Sequence, residues 1–228
     1  MEIVGHRGYG GAFPENTRTA FERAAETADW VELDVRVCRS GELVVFHDET
    51  LDRLTGASGR VVATPWERLR ELEVLDSGEG IPRLDEALSA IPDDTGVQVE
   101  LKDVGLAGEV LKTLSGYDNE AVLISFSPLA LHEVTQFDAS ADVGHILYEG
   151  LFEDAPELGL DTAAHLGCAT VHTFYGMGSD PDLVAAAHDR GLRVQTAPPD
   201  REATADVLAE CRETGVDLLS LDHPPEPA

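Results

Sequence analysis

The chain has 228 residues, 43% of them hydrophobic, enough to bury one substantial core and within the size range of a single α/β barrel. Its 44 acidic residues against 16 basic ones leave a net charge of −28, a poor match for nucleic acid as a partner. No stretch of about 20 apolar residues offers a membrane span.

The first strand is predicted at Ile3 to His6. A glycine-rich loop follows, then Asn16 or Thr17 as a helix cap, then Ala20, Phe21, Ala24, Ala25 and Ala28 at amphipathic helical spacing. Next, Val31, Leu33, Val35 and Val37 alternate with Glu32, Asp34 and Arg36, and the chain turns at Ser40-Gly41 and returns through Leu43 to His47. Pro65 to Leu75 and Pro82 to Ile91 read as helices with proline in the first turn. Thr50 to Gly80 is loosely patterned and reads as a small excursion or a long connection. Six further strands are expected at Gly96 to Lys102, Ala121 to Phe126, Val143 to Leu147, Ala169 to Phe174, Leu192 to Thr196 and Val216 to Leu221. They alternate with helical stretches such as Asp182 to Arg190 and Ala203 to Thr214. About eight βα units in one series are what a TIM (β/α)8 barrel requires. Doubly wound folds share the rhythm, and the barrel expectation rests partly on family resemblance. No linker or repeat interrupts the series, so residues 1–228 read as one domain with a small excursion after the second strand.

Cys38, Cys168 and Cys211 lack the spacing of a zinc site or a disulfide framework and read as free thiols. Ile3 begins a strand too early for a signal peptide to precede it, and a cytoplasmic protein without stable membrane insertion is expected. Only Lys102 and Lys112 represent lysine. This acidic, lysine-poor surface resembles proteins of organisms that keep molar salt in the cytoplasm, where the Debye length falls to about 3 Å. Oligomeric state is not legible.

Glu32 and Asp34, two apart on a strand, direct both carboxylates to one face, and Glu100 and Lys102 repeat the arrangement. At the C-terminal ends of barrel strands these groups would meet at the mouth, where three carboxylates repel unless a cation lies between them. Hard oxygen ligands favour Mg²⁺, Ca²⁺ or Mn²⁺, and Glu32, Asp34 and Glu100 are the expected metal site. The competing assignment is ordinary pairing with Arg36 and Lys102. His6 and His47 can reach the same mouth and suit acid/base work. Arg7 and Lys102 would bind phosphate oxygens, Arg7 as a planar fork and Lys102 as a compact ammonium. Glu15 and Asn16 are expected to brace Arg7 and cap the helix, outside direct substrate contact. His172 could point inward, with a structural role favoured, and no functional case is seen for His132, His145, His165, His188 or His223.

HRGYGGAFPENT (His6 to Thr17), VELDV (Val31 to Val35) and VVFHDETLDRLTG (Val44 to Gly56) together resemble the glycerophosphodiester phosphodiesterase family. IPRLDEAL (Ile81 to Leu88), VELK (Val99 to Lys102) and, more weakly, LISFSP (Leu123 to Pro128) extend the resemblance. It implies a TIM barrel that hydrolyses glycerophosphodiesters to glycerol phosphate and an alcohol with a divalent cation. His6 and His47 match the paired histidines, Glu32, Asp34 and Glu100 the metal carboxylates, and Arg7 and Lys102 the phosphate-contacting residues. Attack by the neighbouring glycerol hydroxyl is the implied mechanism, with room for a cyclic phosphate that water opens. The pattern breaks at VQTAPPD (Val194 to Asp200), where Gln195 stands in place of an aromatic wall, and LDHPPEP (Leu221 to Pro227) only partly matches the usual ending. The alternatives are a noncatalytic barrel binding phosphorylated metabolites, a phospholipase-type enzyme acting on intact lipids, and, ranked last, a sugar isomerase or aldolase barrel. No exposed apolar loop that would favour the phospholipase is expected.

Overall fold

Among the described residues the alternating apolar runs form nine strands: β1 (Glu2–Gly5), β2 (Trp30–Val37), β3 (Leu43–Val45), β4 (Gly96–Leu101), β5 (Ala121–Ser125), β6 (Asp142–Ile146), β7 (Thr170–Thr173), β8 (Arg193–Thr196) and β9 (Leu218–Leu221). Eight run parallel, and β1 pairs with both β2 and β9, which closes the sheet into the expected barrel. Only β3 is antiparallel, returning along β2 with Val35 opposite Val45. This computed structural model describes residues 1–225, so the last two residues of the LDHPPEP run lie outside the described residues.

Period-two alternation decides what each strand face buries. Val31, Leu33, Val35, Val97, Val99 and Leu123 pack outward against the surrounding helices in the main core. Inside the barrel, Val4, Trp30, Val122, Ile124 and Leu218 form a separate apolar cluster. Gly96 is required beside Trp30, because a Cβ there would meet the indole Cε3 at 2.3 Å. Above this cluster the interior becomes polar, with Gln98 and Gln195 exchanging hydrogen bonds at 2.7 and 3.1 Å.

Several helices begin where the sequence signals indicate. Thr17 is the cap of helix Arg18–Ala24, its Oγ1 accepting from the Ala20 amide at 3.2 Å, so the cap is Thr17 and not Asn16. Proline starts the helices Pro128–Phe137, Pro156–His165 and Pro181–Asp189. The expected helix from Pro65 to Leu75 shrinks to Trp66–Leu69. Its apolar residues do not face the barrel: Trp66, Leu69, Leu72 and Val74 bury against Phe46, Leu51 and Leu54 in a small core of their own. The chain then turns through Leu75 and Asp76, both with positive φ. The loosely patterned stretch is therefore a packed excursion, and the helix after it runs only over Leu84–Leu88. Among the described residues, no helix is long and apolar enough to cross a membrane.

Candidate active site

The inward-facing positions of β2 and β4 bring Glu32, Asp34 and Glu100 together, with Asp34 directly opposite Glu100 in the sheet register. All three are buried, and each offers an oxygen within 4.8 Å of the others. Burial and the neighbouring Asp34 and Glu100 push the Glu32 carboxyl well above the usual carboxylate range. Burial and Asp34 raise Glu100 to about 7. Burial also opposes ionisation of Asp34, but the cations of Lys102 and Arg7 outweigh it and hold this carboxyl below its ordinary value.

The Lys102 ammonium lies 2.7 Å from Glu100 Oε1 and 2.9 Å from Asp34 Oδ1. Lys102 thus pairs with the acids at these distances, a role compatible with the phosphate contact expected of it. Asp34 Oδ1 still lacks a well-aligned hydrogen bond. Three buried hard oxygens, two of them costly to ionise and one without an aligned donor, fit a divalent cation such as Mg²⁺, Ca²⁺ or Mn²⁺.

The loop after β1 is wound tightly around these acids. Arg7, Tyr9 and Asn16 all adopt positive φ, a conformation that costs about 1–3 kcal/mol at a non-glycine residue unless its surroundings impose it. Gly8 has no alternative, since at φ 74° its Cβ would sit 2.7 Å from the Ala20 backbone. The winding aims the Arg7 amide at Glu32 Oε2, at 2.9 Å. It also sets the Arg7 guanidinium against Glu15 Oε1 at 2.9 Å and Asp34 Oδ2 at 3.5 Å. Asn16 donates to Asp34 Oδ2 at 2.7 Å. Glu15 therefore braces Arg7 as expected, whereas Asn16 braces the acid and not the helix end.

His6 and His47 line one pocket together with Glu32, Glu100 and Lys102. Each imidazole is held through Nδ1 by a carboxylate: His6 by Asp222 at 2.6 Å, His47 by Asp48 at 2.7 Å. A carboxylate partner makes Nδ1 the proton-bearing nitrogen, so Nε2 keeps its lone pair. His6 Nε2 lies 4.0 Å from Glu32 Oε2. Burial lowers the His6 pKa to about 4, against the opposing pull of Asp222, and also lowers that of His47. Burial thus favours the neutral form of both rings. Arg36 donates twice to the His47 carbonyl, at 2.9 and 3.0 Å, and Arg53 ties Asp48 to Glu15.

Sequence reasoning missed Asp222, Arg53 and Arg201, and Arg36, named as a pairing partner for the strand acids, instead holds the His47 carbonyl and Asp103. Asp222 lies in the LDHPPEP run, and this was its only signal; Arg201 had none. His172 does point inward, buried on the pocket wall with Nε2 3.4 Å from Thr170 Oγ1. His145 faces away from the barrel interior, edge-on to Phe152. Phe126, which lines the pocket, is 49% exposed, Tyr148 on the next strand-to-helix connection is 63% exposed, and Leu129 and Leu151 in the first turns of the helices that follow are 57% and 65% exposed. This corrects the expectation that no apolar loop is exposed.

The sequence profile of the glycerophosphoryl diester phosphodiesterase family matches residues 6–226. A glycerophosphodiester phosphodiesterase of Caldanaerobacter subterraneus is 30% identical over 237 residues, covering 97% of this chain and 94% of that protein. A solved Oleispira antarctica phosphodiesterase, in complex with the product sn-glycerol-3-phosphate, gives a TM-score of 0.85 at 25% identity, covering 98% of this chain and 94% of that one. The glycerophosphodiester phosphodiesterase of Agrobacterium tumefaciens gives 0.84 at 27% identity, covering 98% and 97%. Matched over nearly its whole length, the chain belongs to the glycerophosphoryl diester phosphodiesterase family and is a phosphoric diester hydrolase.

Proposed function

We propose that this protein hydrolyses water-soluble glycerophosphodiesters to glycerol phosphate and an alcohol, with His6 and His47 as the acid/base pair. The observation that carries this reading is the common pocket of two carboxylate-held imidazoles and three buried acids. Glu32, Asp34 and Glu100 would hold the divalent cation, which when bound supplies Lewis-acid polarisation of the phosphoryl group. Arg7 and Lys102 stand beside those acids and would share the charge that grows on the nonbridging oxygens.

One neutral imidazole removes the proton of the glycerol hydroxyl next to the phosphate, and that oxygen attacks phosphorus. The bond to the headgroup oxygen breaks, and the other histidine, protonated, gives its proton to the departing alkoxide. Water then opens the resulting cyclic phosphate with the two roles reversed, which returns both rings to their starting states. His6, the more buried ring, is the one held neutral and takes the proton in the first step, and His47, the more exposed ring, starts protonated. The acidic, lysine-poor composition supports work at high salt, and turnover of lipid-derived diesters in the cytoplasm is the setting this reading assigns.

The test is release of glycerol phosphate from glycerophosphocholine, glycerophosphoethanolamine or glycerophosphoglycerol at high salt with Mg²⁺, Ca²⁺ or Mn²⁺. His6→Ala and His47→Ala should each lower turnover at least about 10²-fold while the fold is retained. No release with any pairing of substrate and metal would overturn the reading. A second reading, hydrolysis of a diester that carries an acyl chain, is favoured by exposed Phe126, Leu129, Tyr148 and Leu151 beside the pocket. Preference for a lysophospholipid over the water-soluble diesters in the same assay would select it.

A further inference from the structure

Three arginine or lysine side chains line the pocket, and two are already engaged by acids. Arg7 stands against Glu15 and Asp34, and Lys102 against Glu100 and Asp34. The third, Arg201, reaches the pocket from the short turn Pro199–Arg201 after β8. Among the described residues, none pairs a carboxylate with its guanidinium, and the hydrogen bond it makes is from Nη1 to Ser220 Oγ at 2.9 Å. This happens in a chain with 44 acidic residues.

The arrangement is costly. Arg201 adopts φ 49°, a left-handed conformation that non-glycine residues avoid. A largely buried cation without a counter-ion is also unfavourable, and burial pulls its pKa down despite Asp222 and Glu32 nearby. The backbone there is nevertheless pinned: the Arg201 carbonyl accepts the amide of Asp222 at 3.0 Å, and the Asp222 carboxylate holds His6. The guanidinium, anchored on Ser220, lines the same pocket as the His6 ring and keeps donors that no side chain among the described residues takes up.

We propose that Arg201 is a substrate-binding residue whose free donors take the nonbridging oxygens of the phosphoryl group undergoing hydrolysis. A planar fork matches two phosphate oxygens, and an anion arriving there supplies the counter-charge that the protein withholds. Arg7 and Lys102 share that charge while also engaged by the acids, and Arg201 adds positive charge that no carboxylate among the described residues takes up. The assignment rests on the proposed phosphodiester hydrolysis, but binding of a phosphate monoester tests it separately from turnover.

Calorimetric titration with sn-glycerol 3-phosphate and steady-state kinetics with glycerophosphocholine should be run on the wild type, Arg201→Gln and Ser220→Ala. Arg201→Gln should weaken glycerol phosphate binding and raise KM about 10- to 100-fold, the loss expected for a charge-assisted contact. Ser220→Ala should stay within about threefold of wild type, because Ser220 only steadies the side chain. Should Arg201→Gln bind glycerol phosphate as wild type does, or should Ser220→Ala reproduce its loss, the proposal is wrong. A loss confined to substrates with anionic headgroups, with glycerol phosphate binding intact, would also overturn it in favour of headgroup recognition. A wild type that binds glycerol phosphate but hydrolyses nothing defeats the proposed function and leaves this assignment to the binding data. If Arg201→Gln does not fold, phenylglyoxal labelling of wild type decides: glycerol phosphate should protect Arg201 in peptide maps, and unprotected labelling overturns the proposal.

Discussion

Asp222 Oδ1 lies 2.6 Å from His6 Nδ1, joining residues 216 positions apart in the chain. Closure of the barrel makes the contact, since β1 and β9 are neighbours and the His6 amide donates to the Leu221 carbonyl at 2.9 Å. Asp222 therefore sets which nitrogen of His6 carries the proton. Asp222→Asn keeps the shape but no longer enforces that tautomer, and kcat should fall about 10- to 100-fold with little change in melting temperature. Steady-state kinetics and a thermal melt check it, and wild-type turnover would show that His6 needs no such partner.

Metal binding should register as stability. If Glu32, Asp34 and Glu100 hold a divalent cation in the native state only, stability and with it the melting temperature rise with the logarithm of its concentration above Kd, the stabilisation reaching about 2.7 kcal/mol at a hundredfold excess over Kd. Differential scanning calorimetry of chelator-treated protein with added Mg²⁺, Ca²⁺ or Mn²⁺ measures this. Glu32→Gln should lose most of the increment. A melting temperature indifferent to all three ions in the wild type counts against the acid cluster as their site.

Gln98 and Gln195 face each other across the barrel interior, nearly fully buried, and each amide satisfies the other. Gln195→Leu strands the Gln98 amide without a partner and should cost about 1–3 kcal/mol. The double variant Gln98→Leu, Gln195→Leu should recover most of that, because no buried polar group is then left unpaired. Denaturant unfolding of the three variants gives the coupling directly, and simple additivity would refute it.

His172 carries a pH signature. Burial, with Arg201 nearby, lowers its pKa from 6.5 to about 3, so the native state holds it neutral while the unfolded chain takes up the proton. Its contribution is fully present above about pH 6.5 and is lost as pH falls toward 3, at about 1.4 kcal/mol per unit. Between pH 6.5 and about 5 the loss is about 2 kcal/mol. His172→Asn should be less steeply destabilised over that window in urea titrations at several pH values. An unchanged slope would mean that the ring is reached by protons in the native state.

Much of the site was legible because its parts are local. Glu32 and Asp34 share a face by strand alternation alone, and an eightfold βα rhythm sends strand ends to one mouth, so His6, His47, Glu100 and Lys102 could be assigned together before any distance was known. The excursion was less legible. Trp66, Leu69 and Leu72 have helical spacing, yet their partners Phe46 and Leu51 lie across a turn, and packing against those partners, not propensity, ended the helix at Leu69.

The sequence by itself determined the strands, the barrel and the types of residue at its mouth, since periodicity and motif spacing are properties of neighbours along the chain. Only the tertiary structure decided how those residues are held and which cations stay free: Asp222 on His6, Arg53 between Asp48 and Glu15, Lys102 between two acids, Arg201 with no carboxylate partner among the described residues. The physical reason is that charge pairing and desolvation depend on separations of a few ångströms, and closing a barrel creates such separations between residues that chain order keeps far apart.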